Sequence, residues 1–307
     1  MGPDVSIYEV CLRDGLQNEP VTISTDDKVR VLEGLVAAGF RDIEVTSFVS
    51  PRWVPQLVDA ADVVARAPQV PDVRYWTLVP NSVGLVRAIE SGVQHVATFL
   101  SASESHNLKN VNRTVKESLS GLERVIADAV SEDITVRAYI STVFGCPYEG
   151  DVSVTRTIEL AHALLEAGAT TIALGDTTGM GHPEQVKQVL TSVVDSGVPL
   201  DKIALHFHDT RGTALANIYA AWQLGARAFD GSISGVGGCP YAPGAAGNAC
   251  TQDVVHMFER MELDTGVDLD ISGEVGQLLE MILGRRLPGR YHQYWLGREQ
   301  RKKARSA

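Results

Sequence analysis

Short β-branched runs alternate with longer amphipathic segments from one end of the chain to the other, and this alternation constrains the fold more than any other feature. The strand candidates are Val5–Val10, Asp42–Phe48, Val73–Val79, His95–Ser101, Val136–Phe144, Thr171–Gly175, Ile203–His208 and Ala228–Ser234. Helical patterns fill the gaps at Asp27–Ala38, Pro55–Arg66, Ser82–Ser91, Val115–Val130, Val154–Ala167, Pro183–Asp195, Ala214–Leu224 and Asn248–Met261. Several end in Ala-Gly or Ser-Gly, as at Gly39, Gly92 and Gly168, where a left-handed residue closes a helix. Repeated β-α units with no break in composition predict a (β/α)8 TIM barrel rather than an open sheet. A chain of 307 residues is ordinary for such a barrel as one domain. The reading assigns residues 1–266 to the barrel and 267–307 to a C-terminal helical extension with a basic tail. Ile271–Leu283 is an additional helix, suited to a cap or to a homodimer contact, and Arg298 to Arg305 reads as a solvated tail.

In such a barrel, chemistry belongs at the C-terminal ends of the strands. Polar groups gather there. The first strand ends in Cys11-Leu-Arg-Asp-Gly15, the second carries Glu44 among apolar neighbours, and the fifth carries Arg137 and Tyr139 on one face. The seventh carries His206 and His208, two apart and therefore on one face. By themselves the two imidazoles are half of a metal site, a base with its helper, or core histidines satisfied locally. Asp14 and Asn248 supply a carboxylate and an amide oxygen beside them. That donor set, without a thiolate, suits an octahedral divalent ion such as Mg or Mn better than zinc, with Co or Fe left open. Such an ion would polarise a hydroxyl and a carbonyl together, and Arg13 is a fixed cation suited to an oxyanion.

Gly235-Val-Gly-Gly238 precedes Cys239, whose thiol could serve as acid, nucleophile or redox sensor, or simply be a small residue in a turn. Gly145-Cys-Pro-Tyr148 repeats the same string and reads as turn chemistry. Thr114-Val-Lys-Glu117 is a capping box at a helix start facing the same mouth. Asn110 and Thr114, with Lys109 and the pair Arg137 and Tyr139, are candidate contacts for a bound cofactor; a plain N-cap is the simpler reading of Thr114.

The formal charge of −11 argues against broad nucleic-acid binding. No apolar run reaches the roughly 20 residues that cross a bilayer. The four cysteines lack zinc-type spacing, and no signal peptide is legible, so a reduced, cytoplasmic setting is expected.

Five stretches carry a resemblance. Val10-Cys-Leu-Arg-Asp-Gly-Leu-Gln-Asn-Glu19, Ile43-Glu-Val-Thr-Ser-Phe-Val-Ser-Pro-Arg-Trp-Val-Pro-Gln56 and Gly145-Cys-Pro-Tyr-Glu-Gly150 resemble the 3-hydroxy-3-methylglutaryl-CoA lyase family. So do His206-Phe-His-Asp-Thr-Arg-Gly212 and the string from Gly237 to Asn248, and the match runs from about Val5 to about Gly266. The resemblance implies a metal-dependent barrel that cleaves 3-hydroxy-3-methylglutaryl-CoA to acetyl-CoA and acetoacetate. It implies metal ligation by Asp14, His206, His208 and Asn248. It also implies a catalytic Arg13, an active-site Glu44, a loop thiol at Cys239 and a base near the metal, Asp14 or His206. Leucine breakdown or ketone-body formation would be the setting. Cleavage of a homologous 3-hydroxy-3-alkyl thioester, or a Claisen condensation, is the alternative. The sequence departs from the family pattern at Cys11-Leu12, Ala173 and Gln252, the last removing a charge expected near the metal.

Overall fold

Each predicted strand forms. The computed structural model describes residues 2–239 and 242–306, and for residues 239 and 242–245 it describes the backbone alone. In chain order the elements are β1 (Ser6–Glu9), α1 (Thr25–Ala37), β2 (Asp42–Ser47), α2 (Ala60–Ala65), β3 (Arg74–Leu78), α3 (Ser82–Glu90) and β4 (His95–Ser101). Then come α4 (Glu104–Val111), α5 (Val115–Ser131), β5 (Thr135–Ser141), α6 (Val154–Glu166), β6 (Thr171–Asp176), α7 (Pro183–Asp195) and β7 (Ile203–Phe207). The chain continues with α8 (Ala214–Gln223), β8 (Ala228–Gly231), β9 (Gly238–Cys239), β10 (Ala242–Ala246), α9 (Thr251–Arg260), α10 (Leu269–Leu283) and α11 (Arg290–Ser306). The strands β1 to β8 pair in parallel in sequence order, and β1 closes on β8 through Ser6 to Glu9 against Ala228 to Gly231.

Two cores follow from the strand alternation. Outward residues such as Ile7, Ile43, Val96, Ile140, Leu174 and Phe207 pack under the helices. Inward residues Tyr8, Val10, Trp76, Leu78, Tyr139, Ala97, Ala173 and Ala204 fill the barrel. Large side chains on β1, β3 and β5 alternate around the barrel with alanines on β4, β6 and β7, and Phe99 of β4 packs against the same cluster.

Local chemistry moved several boundaries. Ser24 accepts the Asp27 N–H at 3.1 Å and starts α1 before the apolar pattern begins. The Pro55–Arg66 pattern splits into a short turn, Pro55–Leu57, and α2. Between β4 and α5 an additional short helix, α4, ends at Asn112 in the left-handed region. The basic tail is helical as well as solvated: it is the exposed end of α11. No helix among the described residues is long and apolar enough to cross a membrane.

Candidate active site and metal centre

The turn after β1 presents two of the candidate residues. The Val10 carbonyl accepts the N–H groups of Asp14 and Gly15 at 2.8 and 3.2 Å, forming one wide helical turn, Cys11–Gly15. Cys11 and Leu12 are fully buried and anchor it from below, so this departure from the family pattern is a packing choice. A side chain at Gly15 would meet Val236 Cγ1 at 2.7 Å, which is why the turn can lie flat against the loop after β8.

Arg13 is held on two sides. Its Nε donates to Glu44 Oε1 at 2.5 Å and its Nη1 to Asp14 Oδ1 at 2.5 Å, leaving Nη2 as the end committed to neither carboxylate. Tyr139 donates its hydroxyl to the other oxygen of Glu44 at 2.7 Å. β2 has a register irregularity between Glu44 and Thr46, a common device for aiming a side chain next to a site. Burial pushes the Asp14 carboxyl up, but the Arg13 guanidinium and then the two imidazoles outweigh it and hold it well below the usual carboxylate range.

The histidines converge. His206 Nδ1 lies 3.1 Å from Asp230 Oδ2, and Arg137 Nη2 takes the other oxygen of Asp230. With Nδ1–H given to Asp230, the Nε2 lone pair of His206 is directed at the mouth. It sits 3.1 Å from His208 Nε2, which is 3.7 Å from Asp14 Oδ2. One ligand atom from each of Asp14, His206 and His208 lies within 4.8 Å of the other two. Asn248 is brought in by an isolated antiparallel bridge to His208, three residues before α9 rather than within it. Its Nδ2 donates to Asp14 Oδ2 at 2.9 Å while its Oδ1 is buried without a partner among the described residues. A half-turn of the amide would aim that oxygen into the cluster. Two imidazole nitrogens and a carboxylate that converge, with an amide oxygen that such a turn would add, fit a divalent cation.

Other predicted residues fall elsewhere. Arg137 and Tyr139 are buried inside the barrel, Arg137 stacked 4.0 Å over the Tyr8 ring and paired with Asp230, so neither is presented to a large ligand. Asn110 is exposed near the end of α4, and Lys109 lies 4.5 Å over the Tyr148 ring. Thr114 is occupied as the N-cap of α5 in a complete capping box. The Cys239 side chain lies outside the described residues. Cys146 is buried in its turn, accepting a hydrogen bond from Ser103 Oγ at 2.9 Å. Gln252 does not face the metal cluster: its amide accepts from Ser234 N–H at 2.7 Å and donates to the Ser272 carbonyl at 3.0 Å.

Sequence reasoning assigned no role to three carboxylates. Asp230 orients His206 and Arg137. Asp176, at the end of β6, accepts the amides of Met180 and Gly181, and burial pushes its carboxyl up. Glu9, at the end of β1, accepts the amides of Cys11 and Ile233 at 2.9 Å and the Thr251 hydroxyl at 2.6 Å. Burial pushes it to about 7, against those three donors. An acidic residue inside an apolar strand, the signal that flagged Glu44, marks all three.

Comparisons with known proteins agree with this geometry. The HMGL-like family model matches residues 4–279. The hydroxymethylglutaryl-CoA lyase of Bacillus subtilis is 49% identical over 93% of this chain and 95% of its own length. A 3-hydroxy-3-isohexenylglutaryl-CoA/hydroxymethylglutaryl-CoA lyase of Pseudomonas aeruginosa is 44% identical over 92% of this chain and 94% of its own. An Acinetobacter baumannii HMG-CoA lyase solved with coenzyme A and 3-methylmalate superposes with a TM-score of 0.90 at 38% identity, covering 94% of each chain. The chain belongs to the HMGL-like family, among the hydroxymethylglutaryl-CoA lyases.

Proposed function

We propose that this protein cleaves 3-hydroxy-3-methylglutaryl-CoA to acetoacetate and acetyl-CoA. The convergence of Arg13, Asp14, His206, His208 and Asn248 at one barrel mouth carries the reading. Asp14, His206, His208 and Asn248 would hold a divalent cation, Mg or Mn by donor type, and when bound it would polarise the substrate's C3 hydroxyl and a neighbouring carbonyl.

The chain's own groups supply the rest. His206 removes the C3 hydroxyl proton with the Nε2 lone pair that Asp230 on Nδ1 leaves outward, so during that step Asp14, His208 and Asn248 would hold the cation, and Asp230 supports the charge that the ring acquires. Asp14, held deprotonated beside Arg13, is the better ligand and the poorer base. As the C3 oxygen becomes a ketone the C2–C3 bond breaks, and its electron pair moves to C2 and the thioester oxygen. Arg13 Nη2, fixed by Glu44 and Asp14, donates to that enolate oxygen. Cys239 protonates C2 and releases acetyl-CoA. Four cysteines without zinc-type spacing suit a reduced, cytoplasmic setting.

The test is acetoacetate release from 3-hydroxy-3-methylglutaryl-CoA with Mg2+ or Mn2+. Turnover that disappears in Arg13→Ala supports the reading, and absence of turnover on any 3-hydroxy-3-alkylglutaryl thioester sinks it. A second reading has one observation behind it: the Pseudomonas aeruginosa relative is named for a longer-branched substrate as well. Preference for that thioester over the methyl one would move the substrate and keep the reaction.

A further inference from the structure

The connector between α10 and α11 touches both turns that frame the candidate metal centre. At its start, Arg285 Nε donates to Glu19 Oε2 at 3.1 Å, and Nη2 donates to the other oxygen of the same carboxylate. The Glu19 side chain is only 5% exposed. Its backbone is fixed as well, with N–H on the Leu16 carbonyl at 3.1 Å and C=O taken by Gln56 Nε2 at 2.8 Å. Glu19 therefore closes the same run of turns that presents Arg13 and Asp14.

Leu287, 1% exposed, seats the middle of the connector, and its N–H bonds Glu280. At the far end, the Gly289 N–H donates to the Ser234 carbonyl at 2.9 Å, an approach that a side chain at 289 would block at Cys250 Sγ, 2.5 Å away. Ser234 sits in the left-handed region at φ 53°, costly for serine, and Gln252 holds its N–H and Oγ while Gly289 holds its carbonyl. Two residues on, the Val236 side chain packs against Gly15, and Gly237 beside it lies so close to the Asn248 amide that a side chain there would meet it at 2.8 Å.

We propose that this connector is a clip that sets the spacing of Asp14 and Asn248, with Arg285 as a positioning residue for the metal centre. The proposal rests on the metal site described above. An exposed ion pair of long side chains would fix little; a bidentate arginine on a buried carboxylate, tied to a buried backbone contact at the other end of the same connector, fixes the turn between them.

The measurement is calorimetric Mn2+ binding to metal-free full-length protein, with kcat and KM and thermal unfolding alongside. Arg285→Ala and Glu19→Gln should each weaken Mn2+ binding about threefold to tenfold, somewhat less than loss of a ligand's direct hydrogen-bond partner. They should lower kcat by a similar factor and leave KM within about twofold. The double variant should be no worse than either single one, because both remove one coupling. The exchange Glu19→Arg with Arg285→Glu should recover much of the affinity. Wild-type Mn2+ affinity in Arg285→Ala overturns the clip, as do additive losses or a loss of affinity that only tracks unfolding. Wild type that binds Mn2+ but cleaves no thioester removes the proposed substrate and leaves the clip to be judged on the binding series. Wild type that binds no divalent ion overturns both.

Discussion

Glu9 and Glu44 sit on neighbouring strands, both fully buried, both hydrogen-bonded on both oxygens, and they do different things. Glu44 meets a guanidinium and a phenol. Glu9 meets two backbone amides and a hydroxyl, all neutral. Three neutral donors do not offset the burial, so Glu9 is pushed up to about 7. Arg13, in turn, is held protonated by Glu44 and Asp14 against burial. The difference is what each carboxyl is for. Glu44 fixes a cation at the mouth, while Glu9 ties three chain segments together at the turn after β1, the turn after β8 and the start of α9.

The comparison breaks most severely at Arg13. Arg13→Ala turns Glu44 into a second Glu9, a buried carboxyl facing a neutral donor, and removes the partner proposed for the enolate. We expect kcat to fall by about 10³-fold, measured by acetoacetate release, with metal binding retained. Next is the pH dependence of stability. A carboxyl whose folded value is raised from 4.5 to about 7 favours the folded state fully at low pH, and that contribution is lost as pH rises through about 7. Denaturant unfolding of wild type minus Glu9→Gln should therefore shift against wild type by about 3 kcal/mol between pH 4 and 8. A flat difference across that window would mean that Glu9 titrates normally.

Glu44→Gln keeps the volume and one acceptor but frees Arg13 on one side. It should cost about 10²-fold in kcat through misplacement, with little change in KM. An unchanged kcat would show that Asp14 alone positions the arginine. The smallest effect is Thr251→Val, which removes one donor from Glu9 at nearly constant shape. About 1 kcal/mol of stability should be lost above pH 7, and less at pH 4, where the protonated carboxyl needs that donor less.

The fold was legible because its signal is periodic. Strand runs such as His95–Ser101 and Thr171–Gly175 recur at barrel spacing, and burial on both faces demands apolar runs that a reader can count. Boundaries were less legible where capping decides them, as at Ser24, and the basic run after Arg298 hid a helix because its polar surface carries no apolar stripe. At the site, His206, His208, Asp14 and Arg13 could be named from residue type and position. Asp230 was missed although its carboxylate within a buried strand matched the signal at Glu44. Arg137 was only half legible for a related reason. Its inward face was readable, but its commitment to Asp230, ninety-three residues away, was not.

The sequence by itself determined the barrel, the face of each strand and the chemical types available at the mouth, because alternation and residue chemistry are local properties. Only the tertiary structure decided which acids serve which bases. Asp230 binds His206, Glu44 binds Arg13, and Gln252 turns away from the metal cluster to hold Ser234. It also decided that the segment after α10 reaches back to Glu19 and Ser234. Those pairings join residues remote in the chain, and barrel closure sets the distances that select them.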